Sequence, residues 1–281
     1  MAIDLVTKFL PYVDEMFTIE SKKSILTNND FQWTGAHTVK VYKVNTAPMT
    51  DYDRTGTGTG VAGSRYGEVS SLDATTEEFT LTKDRSFTFA IDKLDNDETL
   101  QQLSGASALA RQQREIIIPE VDGYVYGVMC EKAGQKPEAI ELTADNICDE
   151  IFKANTALDN AEVPETNRVL VVTPDTYLLM KQSGDIFLNT DIAEDMRLKG
   201  VIAQLDGAKV IKVPATSLPA GFGFMIAHPS ATVAPVKLED YKIHQDPPGI
   251  SGDLVEGRIC YDAFVLDNKK NAIYYQSIAS A

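Results

Sequence analysis

Alternating apolar and polar positions mark three strands in the first third of the chain. They are Thr38–Val44 (TVKVYKV), Glu78–Thr82 and Ser86–Ile91, all rich in β-branched and aromatic residues. A long polar stretch, about residues 45–77, separates the first from the second and carries GTGTGVAGSRYG near its middle. The pattern predicts a long β-hairpin over residues 35–91 with a glycine-rich tip. A two-stranded ribbon has little core of its own and is marginal in water, so it needs another surface to lie on. Before it, residues 1–34 scatter Leu5, Phe9, Tyr12, Phe17, Ile19 and Trp33 without a core-forming run. Such an arm either docks onto a neighbouring copy or packs on its own domain.

The period then changes to that of a helix. Asp95, with Glu98 three residues later, has the form of a capping box. Leu100, Leu103 and Ala106 begin an apolar face, and Val121, Tyr124, Val125, Val128 and Met129 continue it beyond Pro119. Proline removes one backbone hydrogen bond and kinks a helix without having to end it. One kinked helix over about residues 96–131 would run ~54 Å at 1.5 Å per residue. The alternative is two ordinary helices meeting at Pro119.

From Ala139 the pattern is α/β. Thr143 can cap a helix through Leu158, with Ile147, Ile151, Ala154 and Leu158 facing inward. Arg168–Val172 reads as a buried strand. Thr173-Pro174 opens a second helix, TPDTYLLMKQ, with proline at the favoured first position. A helical stretch around Ile192–Leu205 leads to strands Ala208–Val213 and Phe222–Ala227. At the end, Gly257–Leu266, a turn at Asp267–Lys270 and Asn271–Gln276 predict an antiparallel hairpin.

Composition narrows the function classes. Among 281 residues, 26 Lys and Arg against 41 Asp and Glu leave a formal charge of −15. That balance argues against a general affinity for nucleic acid, which needs clustered cations. The charged residues of the hairpin mix both signs. Lys40, Lys43, Arg54, Arg65, Lys83 and Arg85 accompany Asp51, Asp53, Glu68, Asp73, Glu77, Glu78 and Asp84, which suits ion pairs between subunits. No apolar run approaches the ~18–20 residues that span a bilayer, and the N-terminus lacks the features of a secretory signal. Cys130, Cys148 and Cys260 are odd in number and far apart, which fits neither a CxxC metal site nor a disulfide framework. The expectation is folding in a reducing cytoplasm.

Catalytic patterns are sparse. His37, His228 and His244 form no HExxH pair, and there is no GxSxG elbow or GxxxxGK[ST] loop. Gly58-Thr-Gly60-Val-Ala-Gly63 fits GxGxxG. A dinucleotide cradle must follow an apolar strand and open a helix, and neither flank has that character. A loop tip is the better reading. Gly56, Gly58, Gly60 and Gly63, with Arg54 and Arg65 beside them, form the candidate assembly element. Its glycines let the backbone take several shapes. No cofactor and no metal is expected.

The order of arm, long hairpin, long helix, α/β subdomain and closing strands resembles the major capsid proteins of tailed bacteriophages with the HK97-type fold. The likeness covers nearly the whole chain. RVLVVTPDTYLLMKQSGDI (168–186) and GRICYDAFVLDNKKNAIYYQ (257–276) are similar to sequences of that family. The resemblance implies an α+β fold. Residues 1–34 would be the N-arm, 35–91 the E-loop and 92–138 the spine helix and peripheral domain. Residues 139–234 would be the axial domain, and 235–281 the closing strands of the peripheral and axial region.

The implied function is shell building. Hexamers and pentamers of one subunit would tile an icosahedral head around double-stranded DNA held without sequence-specific contacts. The virion would be its location, after assembly in the host cytoplasm. Many relatives carry a long N-terminal scaffolding segment. This sequence, beginning at Met1, shows none, which implies a separate scaffolding protein alongside a portal protein. Two other readings are an encapsulin-like compartment shell and, from a different class, a nucleotide-binding enzyme using Gly58–Gly63.

Overall fold

The computed structural model describes residues 21–28, 38–44, 46–47, 49–55, 65–66, 74–94, 104–183 and 204–279. The fold is α+β, and the chain divides into two compact units. One is Trp33–Leu81; the other combines Met1–Gln32 with Thr82–Ala281.

Among the described residues, the smaller unit is built on one antiparallel pair, β1 (Thr38–Val44) and β2 (Ala74–Thr80). The register runs without a break from Thr38 opposite Thr80 to Val44 opposite Ala74. Phe79 is its buried residue on β2 and stands across from Val39. Lys43 and Glu77 form an ion pair at 2.9 Å.

In the larger unit, the third run of alternation, β3 (Lys83–Asp92), leaves the hairpin. It pairs with β10 (Gly252–Tyr261), which also pairs with β9 (Val236–Gln245), giving a three-stranded antiparallel sheet. The expected hairpin over 35–91 is therefore two structures. Alternation fixes which face of a strand is buried and says nothing about its partner. Phe87 and Phe89 stack on one face of this sheet, and Tyr241 lies 6.1 Å from Phe87. Gly257 sits between them; a Cβ there would come within 2.3 Å of the Phe87 ring.

One helical run spans Gly105 to Lys132. It consists of α2 (Gly105–Gln112), a π-helical turn (Gln113–Ile117) and α3 (Ile118–Lys132). Ser104 caps it, its hydroxyl accepting from the Ser107 N–H. The proposed cap at Asp95 and the residues to 103 lie outside the described residues. Of the two readings at Pro119, the continuous helix holds. In an α-helix the proline ring clashes with the carbonyl four residues earlier, here Glu115, and Glu115 lies in the widened turn. The register shift is visible where the Ile118 N–H donates to the Gln113 carbonyl, five residues back. The buried stripe is Val121, Asp122, Val125, Tyr126, Met129 and Cys130. Tyr124 and Val128, expected inside, are half-buried at its edge.

The main core surrounds a five-stranded sheet in the order β12–β7–β4–β6–β5. Its strands are β4 (Val169–Val172), β5 (Gln204–Leu205), β6 (Ala208–Lys212), β7 (Phe222–Ala227) and β12 (Ile273–Ser277). Every residue of β4 and β7 is buried, which explains why both read as unbroken apolar runs. Helices α4 (Ile147–Asn160) and α5 (Pro174–Gln182) belong to the same subdomain. Thr173 caps α5 as expected, its hydroxyl accepting from the Thr176 N–H at 3.1 Å. Thr143 does not cap α4. A turn intervenes, Asn146 Oδ1 accepts from the Thr143 N–H at 2.8 Å, and the helix starts at Ile147. Leu205, placed at the end of a helical stretch, lies in a strand; residues 192–203 of that stretch lie outside the described residues.

The closing segments do not form a hairpin with each other. Gly257–Tyr261 is the end of β10, and β11 (Phe264–Val265) pairs with β8 (Thr232–Val233). β12 lies antiparallel to β7. Asp262 breaks the run between β10 and β11, and each piece finds its own partner. Of the arm, Ser21–Asn28 packs on its own unit, with Leu26 of α1 (Lys23–Leu26) fully buried in the main core. Residues 1–20 and 29–34 lie outside the described residues.

Phe224 lies at the centre of β7, fully buried and stacked on Tyr274 at 6.1 Å. Phe224→Ala is expected to cost about 3–5 kcal/mol of stability. Urea denaturation of the unassembled chain measures it, and a loss within the range of a surface substitution contradicts this core.

Candidate functional site: the hairpin neck and the Asp262 anchor

Beyond β1 and β2 the chain closes into a neck. The Asp53 N–H donates to the Arg65 carbonyl at 2.9 Å, and the Thr50 hydroxyl donates to the Tyr66 carbonyl at 3.0 Å. The rings of Tyr52 and Tyr66 meet edge to face at 5.1 Å. Asp53 Oδ1 also accepts from the N–H and hydroxyl of Thr55, a local turn that starts the loop. The candidates Arg54 and Arg65 are thus brought together at this neck, both exposed. Gly56, Gly58, Gly60 and Gly63 lie outside the described residues. Residues 49–55 form no strand, and 65–66 form a bend.

Sequence reasoning passed over the apolar side of the same neck. Met49 is 99% exposed and Tyr66 79% exposed, with Tyr52 half in solvent. An exposed pair of aromatic rings, with an exposed methionine nearby in the chain, is a feature of surfaces that meet a partner. The available signal was the placement of an aromatic residue on each side of the glycine tract.

Where the chain leaves the smaller unit, Thr82 is gripped by Asp262. The Thr82 N–H and hydroxyl both donate to Asp262 Oδ2, at 2.8 and 2.9 Å. Tyr124 OH donates to Oδ1 at 2.7 Å, as does the Ala263 N–H at 2.8 Å. Asp262 is only 3% exposed, so these four donors replace the water a carboxylate would otherwise hold. Burial and then the adjacent carboxylate push the Tyr124 phenol up to about 12, which keeps it a donor. The Lys83 ammonium stands 5.0 Å above the centre of the Tyr124 ring. One carboxylate thus joins the start of β3, the long helix and the β10–β11 junction.

The charges expected to pair between subunits find partners within the chain in three cases. Besides Lys43 with Glu77, Arg85 Nε contacts Glu120 of α3 at 2.7 Å. Arg258 makes two hydrogen bonds to Asp84 across β3 and β10, and these hold the Asp84 carboxyl below its usual range. The histidines are dispersed. His228 Nδ1 pairs with Ser230 at the start of a 3₁₀ turn, and burial lowers its pKa. His244 lies 3.4 Å from Glu256 on the open sheet, and His37 is outside the described residues. Among the described residues, no cluster of His, Cys, Asp and Glu could hold a metal ion, and no helix is long and apolar enough to cross a membrane.

No protein-family model matches the chain, and no curated protein matches it either. Solved structures do. A structure from Mycobacterium phage Che8 superposes with a TM-score of 0.77 at 18% identity, covering 97% of this chain and 96% of that one. The capsid of cyanophage P-SCSP1u gives 0.76 at 13% identity, covering 98% and 93%. The mature capsid of bacteriophage PhiM1 gives 0.74 at 12% identity, covering 99% and 93%. The chain has the HK97-type capsid fold.

Removing the Asp262 carboxylate takes the acceptor from the half-buried Tyr124 hydroxyl and the buried Ala263 N–H, and frees the exposed Thr82 at the start of β3. Asp262→Ala is expected to cost on the order of 3 kcal/mol, and Tyr124→Phe about 1 kcal/mol. Equal, near-zero shifts in the denaturation midpoint for both variants would contradict the anchor.

Proposed function

We propose that this chain is the major head subunit of a tailed bacteriophage, assembling as hexamers and pentamers into an icosahedral shell. The observation that carries the reading is the end-to-end correspondence with phage capsid structures, which takes in nearly all of the chain. The role is structural and not enzymatic. The virion is its location, with the host cytoplasm as the place of assembly. A separate scaffolding protein and a portal are its assembly partners. Packaged double-stranded DNA is held without sequence-specific contact, which accords with a charge of −15.

Roles follow from position. Residues 1–32 serve as the arm, and the unit Trp33–Leu81 as the loop that reaches a neighbour. The helix Gly105–Lys132 is the spine, and the sheet β3–β10–β9 belongs to the peripheral domain. The five-stranded sheet with α4 and α5 is the axial domain. Within the loop, Met49, Tyr52 and Tyr66 supply apolar contact area, with Arg54 and Arg65 at the rim. A ribbon with one small buried patch gains its stability from such a contact.

Expressed with its scaffold, the protein should form closed shells in negative-stain electron microscopy. Monomers alone under those conditions overturn the reading. Deleting residues 50–68 should leave the five-stranded subdomain folded by circular dichroism and abolish shells. Normal shells from that variant remove the assembly role of the loop.

A further inference from the structure

The five-stranded sheet carries opposite charges at its two sides. Lys212 ends β6, and the register runs straight across from it. Lys212 stands beside Val172 of β4, Val172 beside Phe224 of β7, and Phe224 beside Gln276 of β12. Along the outer edge of β12, Gln135 bridges to Tyr274 and Ile140 to Ile278. Between them the Gln276 Nε2 donates to the Glu138 carbonyl at 2.8 Å. One row of the sheet therefore has Lys212 at one end and the segment Glu138–Glu141 at the other. Three strand spacings separate β6 from β12, ~14 Å in all. That exceeds the ~8 Å over which physiological salt screens exposed charges, so one side does not neutralise the other.

The basic side is built around one ring. The ammonium groups of Lys212 and Lys181 stand 4.6 and 5.1 Å from the centre of the Tyr177 ring, which is buried. The negative face of the ring attracts both and holds two like charges near each other. Lys212 is exposed and Lys181 half-buried. Among the described residues neither lysine has a carboxylate partner. β5 pairs only with Ala208 and Lys209, so no described strand covers the outer side of β6 at Lys212.

The acidic side is a run along the chain. From Pro137 to Glu150 it has Glu138, Glu141, Asp145, Asp149 and Glu150, with neither lysine nor arginine among them. The first four are exposed. Glu150 is taken by Lys153 at 2.7 Å. Lys136, the last base before the run, donates to the Glu131 carbonyl. The carboxylates of Glu138 and Glu141 thus lie open at the same level of the sheet as Lys212, on the opposite side.

We propose that these two sides meet between copies of this chain, with Lys181 and Lys212 of one subunit against Glu138 and Glu141 of the next. Opposite charges favour this pairing, and a two-fold contact of either side with itself sets like charges together. A contact between different patches repeats from copy to copy. It closes into a ring when the operation is a rotation and grows into a filament when a shift along the axis is added. The two patches share one row of the sheet, so they meet without a shift along the strands. The inference rests on the shell reading and names the surfaces that join neighbours within its hexamers and pentamers.

Charge exchange in the full chain, expressed with its scaffold and counted as shells in negative-stain electron microscopy, tests the contact. Lys181→Glu with Lys212→Glu should lower the yield of shells at least about ten-fold, because acidic sides then face each other, and Glu138→Lys with Glu141→Lys should do the same. All four changes together restore opposite charges with the sides swapped, and the yield should return to within about three-fold of wild type. Circular dichroism of the unassembled variants checks that each is folded. Should the Lys181 change unfold the subunit, Lys212→Glu against Glu138→Lys repeats the exchange at the two ends of the row. Wild-type yield from either reversed pair overturns the contact, and so does a folded exchange variant that recovers nothing. Absence of shells from the wild type overturns the shell reading, and the contact with it.

Discussion

A carboxylate taken out of water must be repaid in hydrogen bonds, and Asp262 is repaid in full. Its four donors come from three places distant in sequence: Thr82 at the exit from the smaller unit, Tyr124 on the long helix, and its own neighbour Ala263. The geometry of β3, the helix and β10 therefore meets at one side chain. The aspartate also explains why the run Gly257–Leu266 splits. The Ala263 N–H goes to the Asp262 side chain in place of a strand partner, and the run divides there, with β10 ending at Tyr261 and β11 beginning at Phe264.

The two units solve the problem of burial differently. The larger one has a continuous core, in which β4 and β7 are covered on both faces and the long helix contributes Val125, Tyr126 and Met129. The smaller one has a perfectly registered strand pair, an internal ion pair and a neck that leaves methionine and tyrosine in solvent.

Charge takes on a different meaning in the folded chain. The mixed charges of residues 35–91 suggested contacts between copies, and several of them are spent inside the chain. Arg85 ties β3 to the helix through Glu120, and Asp84 is matched by Arg258 across the sheet. Asp122 was hidden within what looked like a purely apolar stripe. A charged residue on a buried face is invisible to periodicity, because the period ranks positions by hydrophobicity.

Most of the strands and helices were legible in the sequence alone, β8 and β9 excepted, while the glycine tract lies outside the described residues. The buried strands at Val169–Val172 and Phe222–Ala227 stood out as apolar runs, and the Thr173-Pro174 helix start as a local capping signal. These depend on interactions within a few residues, which a linear pattern records. Tertiary structure decided the partners: β3 with β10 instead of β2, β12 with β7, and the π turn that accommodates Pro119. Strand pairing, the grip of Asp262 on Thr82 and the contact of Ser21 with Asp122 join residues far apart along the chain. Their energies come from burial and donor geometry, which exist only once the chain has folded.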